Sequence, residues 1–480
     1  MSFLFLIFCN ILIFYSKPES EEEKLIFVMT HFRHGARAPQ HFYFPDEYKD
    51  YAKEFWDNPG ELTGMGQRMH YLLGIRNRLR YIDGKKFLSN KFNPHEILIY
   101  SSPFNRTIIS VSSQLQGLYP QYVKQGENIT EEQKDFSKPQ VNVDCEKINE
   151  EIENLNLSAL PNNMILAPIR MINNNERKIT LYDIEPCTEI RDKYKKKNEE
   201  SISSLLNITS FFKEKFSQNF DKIFGKKENY DMNLIDNVCD AFISGYTHRR
   251  KMSELMETGL NSEQLINFCF DFQKLNFRDW VLGDKKRDLA HLEVSKLMKE
   301  FIHYMKERID ADIKGEIIDK KYDDYSRPKM MMISGHDSTV SCFEIFLFDA
   351  LGYNITEYYI YPKFASQIAF EVTTNDDNKE GKKYSDYFIN YYFNDEPIFK
   401  INVEEFIEKI SPHIWSDQEI DDFCGFENNY GKKDSSKTLL ILFISLTSFL
   451  VFISLILLIC LIRKKKVESN VSQIYYSKGT

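Results

Sequence analysis

The composition of this 480-residue chain excludes several classes of protein before any motif is considered. Hydrophobic residues make up 42% of the chain, and its 38 Phe and 27 Tyr supply enough apolar mass for a large core, which excludes an intrinsically disordered protein. The 62 Lys and Arg are outnumbered by 71 Asp and Glu, giving a formal net charge of -9. This mildly acidic balance argues against a nucleic-acid-binding protein, and the length allows two to four domains of roughly 100–200 residues each.

Both ends of the chain carry apolar segments that indicate a membrane-anchored secretory protein. Residues 3–15 form an apolar run of the length found in signal peptides, so we predict a signal peptide over residues 1–16, with a buried first strand as the alternative. Residues 438–462 contain no formal charge and are long enough for one membrane-spanning helix, and the basic residues 463–466 follow directly. The sequence therefore predicts a single-pass type I membrane protein with residues 463–480 as its cytoplasmic tail.

The cysteines between these two segments indicate disulfide bonds in an oxidising compartment, although their spacing leaves the pairing open. They are Cys145, Cys187, Cys239, Cys269, Cys342 and Cys424. No Cys-x-x-Cys pair is present, so a zinc ribbon is not expected, and we predict no metal and no cofactor. Acceptor triplets for N-glycosylation, which give weak support for a glycoprotein, occur at Asn105, Asn128, Asn156, Asn207 and Asn354.

The N-terminal part of the chain alternates strands with helices. Residues 24–30 are a short, nearly continuous apolar run typical of a strand buried on both faces, and a loop follows it. Residues 63–81 place apolar side chains at helical spacing and predict an amphipathic helix. A second strand is predicted at 97–100 and a second helix at 107–118.

The middle of the chain does not show this alternation of strands and helices. Residues 121–235 are rich in Asn, Lys and Glu, and we predict a smaller, mainly helical inserted region over residues 121–284. The alternation then returns, with a helix predicted at 294–309, a buried strand at 329–334 and an apolar helix at 340–351.

This alternation predicts an α/β fold in which a mostly parallel sheet is flanked by helices. Its core would be formed by residues 17–120 and 285–437, on either side of the inserted region. In such sheets ligands bind at the carboxyl ends of the strands. His34 and His336 both fall at such ends, so we expect a site there.

A dense group of chemically active residues follows the first strand: Arg33-His34-Gly35-x-Arg37-x-Pro39. Two guanidiniums and an imidazole fall within five positions, and the glycine lets the backbone approach a ligand closely. Guanidiniums bind phosphate oxygens bidentately, and an imidazole between them is placed to attack phosphorus. The pattern predicts a phosphoryl-transfer site, with a surface arginine cluster or a structural histidine as the alternatives.

The motifs resemble those of the histidine acid phosphatases, a branch of the histidine phosphatase superfamily that includes prostatic and lysosomal acid phosphatases and the fungal phytases. The resemblance rests on Arg-His-Gly-Ala-Arg-Ala-Pro at 33–39 and Ser-Gly-His-Asp-Ser-Thr at 334–339. Supporting matches lie at 60–67 and 101–107, whereas residues 121–235 match only loosely. The resemblance implies a histidine-phosphatase-like fold and a phosphatase that requires no metal.

The resemblance also implies a role for each of six residues. His34 is similar to the nucleophile that forms a phosphohistidine intermediate, and Asp337 to the acid that protonates the leaving alcohol. The residues that would bind the phosphate are Arg33, Arg37, Arg106 and His336. Because phosphoryl transfer depends on neutralising the equatorial oxygens, three arginines around one imidazole suit this chemistry.

Three further features follow from the comparison with the family. Ala36 stands where the vertebrate acid phosphatases usually carry Asp, a choice shared with the phytases. Asn105 precedes Arg106 where the acid phosphatases usually carry Asp. Cys187 and Cys424 are similar to a family disulfide, and the resemblance implies that they pair.

The sequence thus predicts a membrane-anchored acid phosphatase with an acid pH optimum, located in a lysosome-like organelle or at the cell surface. Its substrate would be a phosphorylated small molecule or phosphoprotein, and nucleic acid is not expected as a partner. An inositol-polyphosphate phosphatase, similar to the phytases, is the alternative within the same chemistry. A non-catalytic surface binding module is the alternative from another class. The oligomeric state is left open, with a homodimer as one option.

Overall fold

The computed structural model describes residues 23–40, 56, 58–123, 128–137, 146–172, 232–249, 262–282, 288–316, 327–375, 381–424, 447–459 and 461–463. The chain divides into two compact units, Met1–Ser416 and Asp417–Thr480. The sheet and the candidate site belong to the first unit. The predicted signal peptide lies outside the described residues.

One seven-stranded sheet organises the first unit. Its strands are β1 (Lys24–Arg33), β2 (Ile97–Ser101), β3 (Arg170–Met171), β4 (Met330–Gly335), β5 (Gln367–Thr374), β6 (Tyr387–Phe393) and β7 (Glu396–Asn402). Their order across the sheet is β3-β2-β4-β1-β5-β6-β7. The three strands predicted from apolar runs are β1, β2 and β4, which are neighbours and run parallel. Every position of β2 and β4 is buried, as continuous apolar runs require.

The prediction of a mostly parallel sheet is wrong, because the sheet is mixed. β5 pairs antiparallel with β1, and β6 and β7 extend the sheet antiparallel from β5. Between β6 and β7 lie Asn394 and Asp395, both with positive φ, and such a two-residue hairpin permits only antiparallel pairing. The sequence prediction contained no strand after residue 334, so it missed this half of the sheet.

Among its described residues, the first unit has the helices α1 (Gly64–Arg78), α2 (Asn105–Leu118), α3 (Glu131–Phe136), α4 (Glu146–Leu155), α5 (Met232–Thr247), α6 (Ser262–Leu282), α7 (Asp288–Ile313), α8 (Asp337–Leu351), α9 (Ile355–Tyr358) and α10 (Val403–Ile410). A π-helical turn, Leu79–Gly84, continues α1, and short 3-10 helices lie at Gln121–Val123, Pro161–Asn163, Tyr384–Asp386 and Ser411–His413. α3 to α6 fall within the region predicted to be mainly helical.

Two apolar layers enclose the sheet. In one layer, Phe301 of α7 and Phe343 of α8 belong to a buried cluster with residues of β1 and β5. In the other, Val111 of α2 packs in a cluster with Ile99 and Met332. α2 begins after the carboxyl end of β2, and α8 begins after that of β4. Their first turns therefore lie at the same edge of the sheet as the loop after β1.

In the second unit, α11 (Asp417–Cys424) and residues 447–459 are helical. Within the part of the chain that the structure describes, no helix has both the length and the apolar character needed to span a bilayer. The predicted span at 438–462 lies partly outside the described residues. Cys424 is disulfide-bonded, and Cys187, its partner in the sequence prediction, is outside the described residues.

Candidate active site

The first predicted segment lies where β1 ends, at the carboxyl edge of the parallel strands. The main-chain N–H of Arg33 donates to the carbonyl of Ser366, and that of His34 donates to the carbonyl of Gly335, each at 3.0 Å. The main-chain N–H of Ala365 in turn donates to the carbonyl of His34 at 3.1 Å. The backbone of the nucleophile candidate is therefore held from both sides, by β4 and by the segment before β5.

Helix α1 packs against this loop through a contact that only glycine allows. A Cβ on Gly35 would lie 2.4 Å from the carbonyl oxygen of Gly66, and a Cβ on Gly66 would lie 2.1 Å from the carbonyl oxygen of Ala36. The same Ala36 carbonyl accepts from the main-chain N–H and from Oγ1 of Thr63, the N-cap of α1, each at 3.1 Å. The start of α1 thus holds the backbone of the loop in place at Gly35 and Ala36.

His34 is buried, and its imidazole is held in one tautomer. Nδ1 lies 2.9 Å from the carbonyl oxygen of Gly35, which can only accept, so Nδ1 carries the proton and Nε2 keeps its lone pair. Burial and the positive charges of Arg33 and Arg37 hold the pKa of His34 well below its usual range. The imidazole is therefore neutral in mildly acidic solution, as a nucleophile requires.

The Arg33 guanidinium uses both Nη atoms within the protein. Nη1 donates to the hydroxyl of Tyr361 at 3.0 Å and to the carbonyl of Pro362 at 2.9 Å, while Nη2 forms a 2.7 Å ion pair with Asp337. Its Nε is buried and has no hydrogen-bond partner among the described residues. The ring of Phe364 lies 4.4 Å from the guanidinium carbon and covers one of its faces.

Arg37 repeats this arrangement with a different carboxylate. Its Nη1 and Nη2 donate to the two carboxylate oxygens of Asp240, at 3.1 and 2.8 Å, and Nη1 also donates to the carbonyl of Ala38. Within the described part of the chain, the buried Nε of Arg37 likewise lacks a partner. Two guanidiniums beside His34 therefore each keep a buried N–H donor that the protein does not satisfy. Such donors are costly unless a ligand accepts from them.

The second predicted segment brings His336 and Asp337 to the same place. The ring centroids of His34 and His336 are 5.5 Å apart. Nη2 of Arg106 lies 3.3 Å from Nδ1 of His336, and Ser102 Oγ lies 2.9 Å from its Nε2. Because a guanidinium can only donate, Nδ1 of a neutral His336 accepts and its Nε2 donates to Ser102. Burial, and next the charge of Arg106, hold the pKa of His336 well below its usual range.

Asp337 is the carboxyl group that contacts Arg33. Besides its ion pair with Arg33, its Oδ2 accepts from the hydroxyl of Tyr361 at 2.9 Å, and its Oδ1 accepts from the main-chain N–H of Ser338. Burial alone would raise its pKa, but the positive charges of Arg33 and Arg37 outweigh burial and hold the pKa below its usual range. The carboxylate is therefore ionised when no anion is bound.

The six predicted side chains thus lie in one pocket that presents positive charge, unsatisfied N–H donors, two neutral imidazoles and one carboxylate. A model of the histidine phosphatase superfamily (branch 2) matches residues 24–394 of the chain. The chain belongs to this family. The match includes both halves of the pocket and the helices between them.

Named relatives of this histidine phosphatase are similar over a short part of their length. Lysosomal acid phosphatase of Xenopus laevis is 38% identical over 111 residues, which is 23% of this chain and 24% of the relative. Testicular acid phosphatase of Mus musculus is 41% identical over 101 residues, 21% of this chain and 23% of the relative. The alignments therefore span about a quarter of these relatives.

The solved structures show the fold. The apo form of Hafnia alvei phytase superposes with a TM-score of 0.52 over 85% of this chain and 99% of its own, at 13% sequence identity. At that identity the likeness extends to the histidine phosphatase fold and not to the substrate.

Sequence reasoning missed several residues that shape the pocket of this histidine phosphatase. Asp240 is on α5, within the residues 121–284 predicted to be an inserted region, and no motif marks it. Tyr361 and Phe364 lie in the short segment between α9 and β5, and the prediction had assigned nothing there. The ring of Phe364 is 5.8 Å from that of His34, and the ring of Phe104 is 5.1 Å from that of His336. Phe104 lies within the supporting match at 101–107, but its contact with His336 depends on how α2 approaches β4.

Proposed function

We propose that this protein is an acid phosphatase that hydrolyses phosphate monoesters through a phosphohistidine intermediate at His34. One observation carries the proposal: a neutral imidazole lies among three guanidiniums, two of which, Arg33 and Arg37, keep a buried Nε–H without a partner among the described residues. A phosphoryl group supplies the oxygens that such donors lack. The family membership supports the same chemistry.

In the first step, Nε2 of His34 attacks the phosphorus of the ester. The bond from phosphorus to the ester oxygen breaks as the bond from Nε2 to phosphorus forms, and the equatorial oxygens are stabilised by Arg33, Arg37 and Arg106. The leaving alkoxide takes the proton of Asp337. Bound phosphate offsets the positive charges that lower the pKa of Asp337, so the carboxyl group can carry that proton in the complex.

In the second step, water attacks the phosphohistidine. The Asp337 carboxylate left by the first step accepts a proton from this water, the bond from Nε2 to phosphorus breaks, and inorganic phosphate leaves. His34 returns to the neutral tautomer that Gly35 selects. Two displacements at phosphorus thus use one nucleophile and one carboxyl group, and no other group changes its protonation state.

The surroundings of the pocket favour a monoester over a multiply phosphorylated ring. Half-buried aromatic rings lie beside the three arginines proposed to bind phosphate, which are called the phosphate clamp here. Phe364 lies beside His34, and Phe104 lies beside His336. A hexakisphosphate would need further cations around the reacting phosphate. The likeness to phytases supports the fold alone. We therefore place the inositol-polyphosphate substrate second.

Membrane anchoring and a luminal location belong to this proposal. The relatives include proteins named lysosomal acid phosphatase, and the cysteine content and apolar ends of the chain fit a secretory route. We propose that the phosphatase acts in a lysosome-like organelle or at the cell surface. Expression of the full chain with an epitope at its C-terminus, followed by protease treatment of intact vesicles, tests this location. A protected catalytic region and an accessible epitope are expected.

The catalytic proposal is tested on purified protein with p-nitrophenyl phosphate labelled in the phosphoryl group. Acid-labile, base-stable label should appear on the protein during turnover, and His34→Ala should abolish both the label and the activity. His303→Ala is the matched control, because His303 is exposed on α7. Full activity in a folded His34→Ala protein would refute the proposal. Faster turnover of phytate than of the monoester would show that inositol polyphosphates, rather than simple monoesters, are the preferred substrates.

A further inference from the structure

We propose that Asp240 is a positioning residue for phosphate binding, which holds the Arg37 guanidinium so that its Nε–H points into the pocket. The inference rests on the proposed function, because it assigns Arg37 to the phosphate clamp. Asp240 belongs to α5 of the inserted region, and 203 positions separate it from Arg37 in the sequence. None of the motifs includes it.

Three hydrogen bonds define the role of the Asp240 carboxylate. Oδ1 accepts from Nη2 of Arg37, and Oδ2 accepts both from Nη1 of Arg37 and from the main-chain N–H of Gln40, at 2.8 Å. A bidentate pair fixes the plane of a guanidinium, whereas a single bond leaves it free to rotate. The bond to Gln40 fixes the carboxylate against the same loop that carries Arg37. The geometry leaves Nε as the donor available to a ligand.

The same helix contacts the loop at a second point. Nδ1 of His248, just after α5, lies 2.7 Å from the carbonyl oxygen of Ser244, so Nδ1 donates there and Nε2 is the nitrogen that faces Thr63. That Nε2 lies 2.7 Å from Oγ1 of Thr63, which also lies 3.1 Å from the Ala36 carbonyl. α5 therefore contacts the loop after β1, which carries His34 and Arg37 and is called the phosphate loop here. The contact is direct at Arg37, and it passes through Thr63 at Ala36. Two contacts from one rigid helix set the loop more firmly than one.

The charge of Asp240 also matters to Arg37. Arg37 is buried, which by itself would lower its pKa, but the Asp240 carboxylate outweighs burial and raises it. Asp337 is the other carboxylate that acts on Arg37 electrostatically. Without Asp240 the guanidinium would turn toward Asp337, which the proposed mechanism needs as a proton donor. The carboxylate of Asp240 thus keeps Arg37 aligned and keeps it away from the reacting carboxyl group.

Asp240→Asn tests the inference, because an amide accepts one hydrogen bond from Arg37 but cannot form the charged bidentate pair. We expect kcat for p-nitrophenyl phosphate to fall about 10- to 100-fold, a typical effect of a misplaced catalytic contact. The dissociation constant for inorganic phosphate, measured calorimetrically, should rise about 10-fold or more. Asp236→Asn is the matched control: Asp236 lies one turn earlier on α5 and accepts from Gln273. Its kcat and phosphate affinity should match the wild type.

A double-mutant cycle separates positioning from folding. If Asp240 acts through Arg37, Asp240→Asn should change kcat by less than about 3-fold in an Arg37→Ala background. An equal loss in both backgrounds would overturn the proposal, as would tighter phosphate binding with unchanged kcat, which would make Asp240 a charge-balancing group only.

Two further outcomes are distinguishable. If the wild-type protein binds phosphate but hydrolyses no monoester, the proposed function fails, while the calorimetric comparison still decides the role of Asp240. If Asp240→Asn does not fold, Asp240→Glu keeps the ion pair but shifts the guanidinium by one methylene. A kcat between those of the wild type and Arg37→Ala is then expected. A wild-type kcat in Asp240→Glu would assign Asp240 to folding and overturn the proposal.

Discussion

A single methyl group added beneath the phosphate loop should impair catalysis more than many larger surface changes. In Gly66→Ala the new Cβ would lie 2.1 Å from the carbonyl oxygen and 2.8 Å from the nitrogen of Ala36. Both are backbone atoms, so no rotamer change relieves the clash. Either the loop or the start of α1 must move by about 1 Å to restore van der Waals contact.

The size of the effect follows from what that movement displaces. The loop carries His34 and Arg37, and a misplacement of about 1 Å at reacting groups can lower the rate roughly 100-fold. Overpacking of a buried site typically costs about 1–3 kcal/mol of unfolding free energy. We therefore expect kcat/KM for a monoester to fall about 100-fold and the unfolding free energy to fall by about 1–3 kcal/mol.

Gly64→Ala is the matched control. Gly64 lies two residues earlier on α1, and a Cβ there meets nothing within 4 Å. Both variants replace a glycine in the first turn of α1, where the gain in helix propensity is at most about 1 kcal/mol, so a larger difference between them reports the clash. Monoester hydrolysis and urea unfolding monitored by circular dichroism measure the two effects. Wild-type kcat/KM in Gly66→Ala would show that the position of the loop does not control the chemistry.

Two other predictions concern protonation. In Asp337→Asn, kcat should fall at least about 100-fold for an alkyl phosphate but much less for p-nitrophenyl phosphate, whose leaving group hardly needs a proton; an equal loss on both esters would remove Asp337 as the donor. Burial lowers the pKa of His31 to about 3, so the unfolded chain binds its proton near pH 6.5 while the native protein does not. The stability that the neutral native His31 provides is therefore complete above pH 6.5 and is lost as the pH falls toward 3. As the pH falls from 5.5 to 4, the unfolding free energy of the wild type should decline more steeply than that of His31→Gln, by about 1.4 kcal/mol per pH unit. Urea unfolding at several pH values measures both slopes, and equal slopes would contradict this assignment.

The sequence was informative about the fold where a buried strand carries an uninterrupted apolar run. β1, β2 and β4 are buried on both faces, so their apolar runs are continuous and visible. β7 is mostly exposed or half-buried, and its pairing depends on the hairpin at Asn394 and Asp395. An edge strand of that kind has little apolar pattern to detect. The mixed character of the sheet depends on these later strands and could not be inferred from the first three.

The residues of the candidate site also fall into two groups, those that the sequence identifies and those that only the fold reveals. His34, Arg33 and Arg37 are adjacent in sequence because one loop carries them, so their chemistry could be identified directly. Asp240 and Tyr361 are found only through tertiary contacts, since neither residue type is unusual at its position in the sequence. The pKa of His34 could be predicted only in part from the sequence. The sequence indicated the neighbouring arginines, but burial lowers this pKa more than they do, and burial is known only from the fold.

These two groups of residues differ in what they do to the arginines. Tyr361, Pro362 and the two carboxylates occupy the Nη atoms of Arg33 and Arg37, so each guanidinium is already oriented before a ligand arrives. A pre-oriented donor needs no reorganisation when charge develops on the phosphoryl group, which is where electrostatic catalysis gains most. Under the proposed mechanism, the motif supplies the groups that would act on phosphate, whereas distant segments of the chain set the orientation of those groups. If the proposed mechanism holds, substitution of a distant partner should lower the rate partially, whereas substitution of His34 should abolish it.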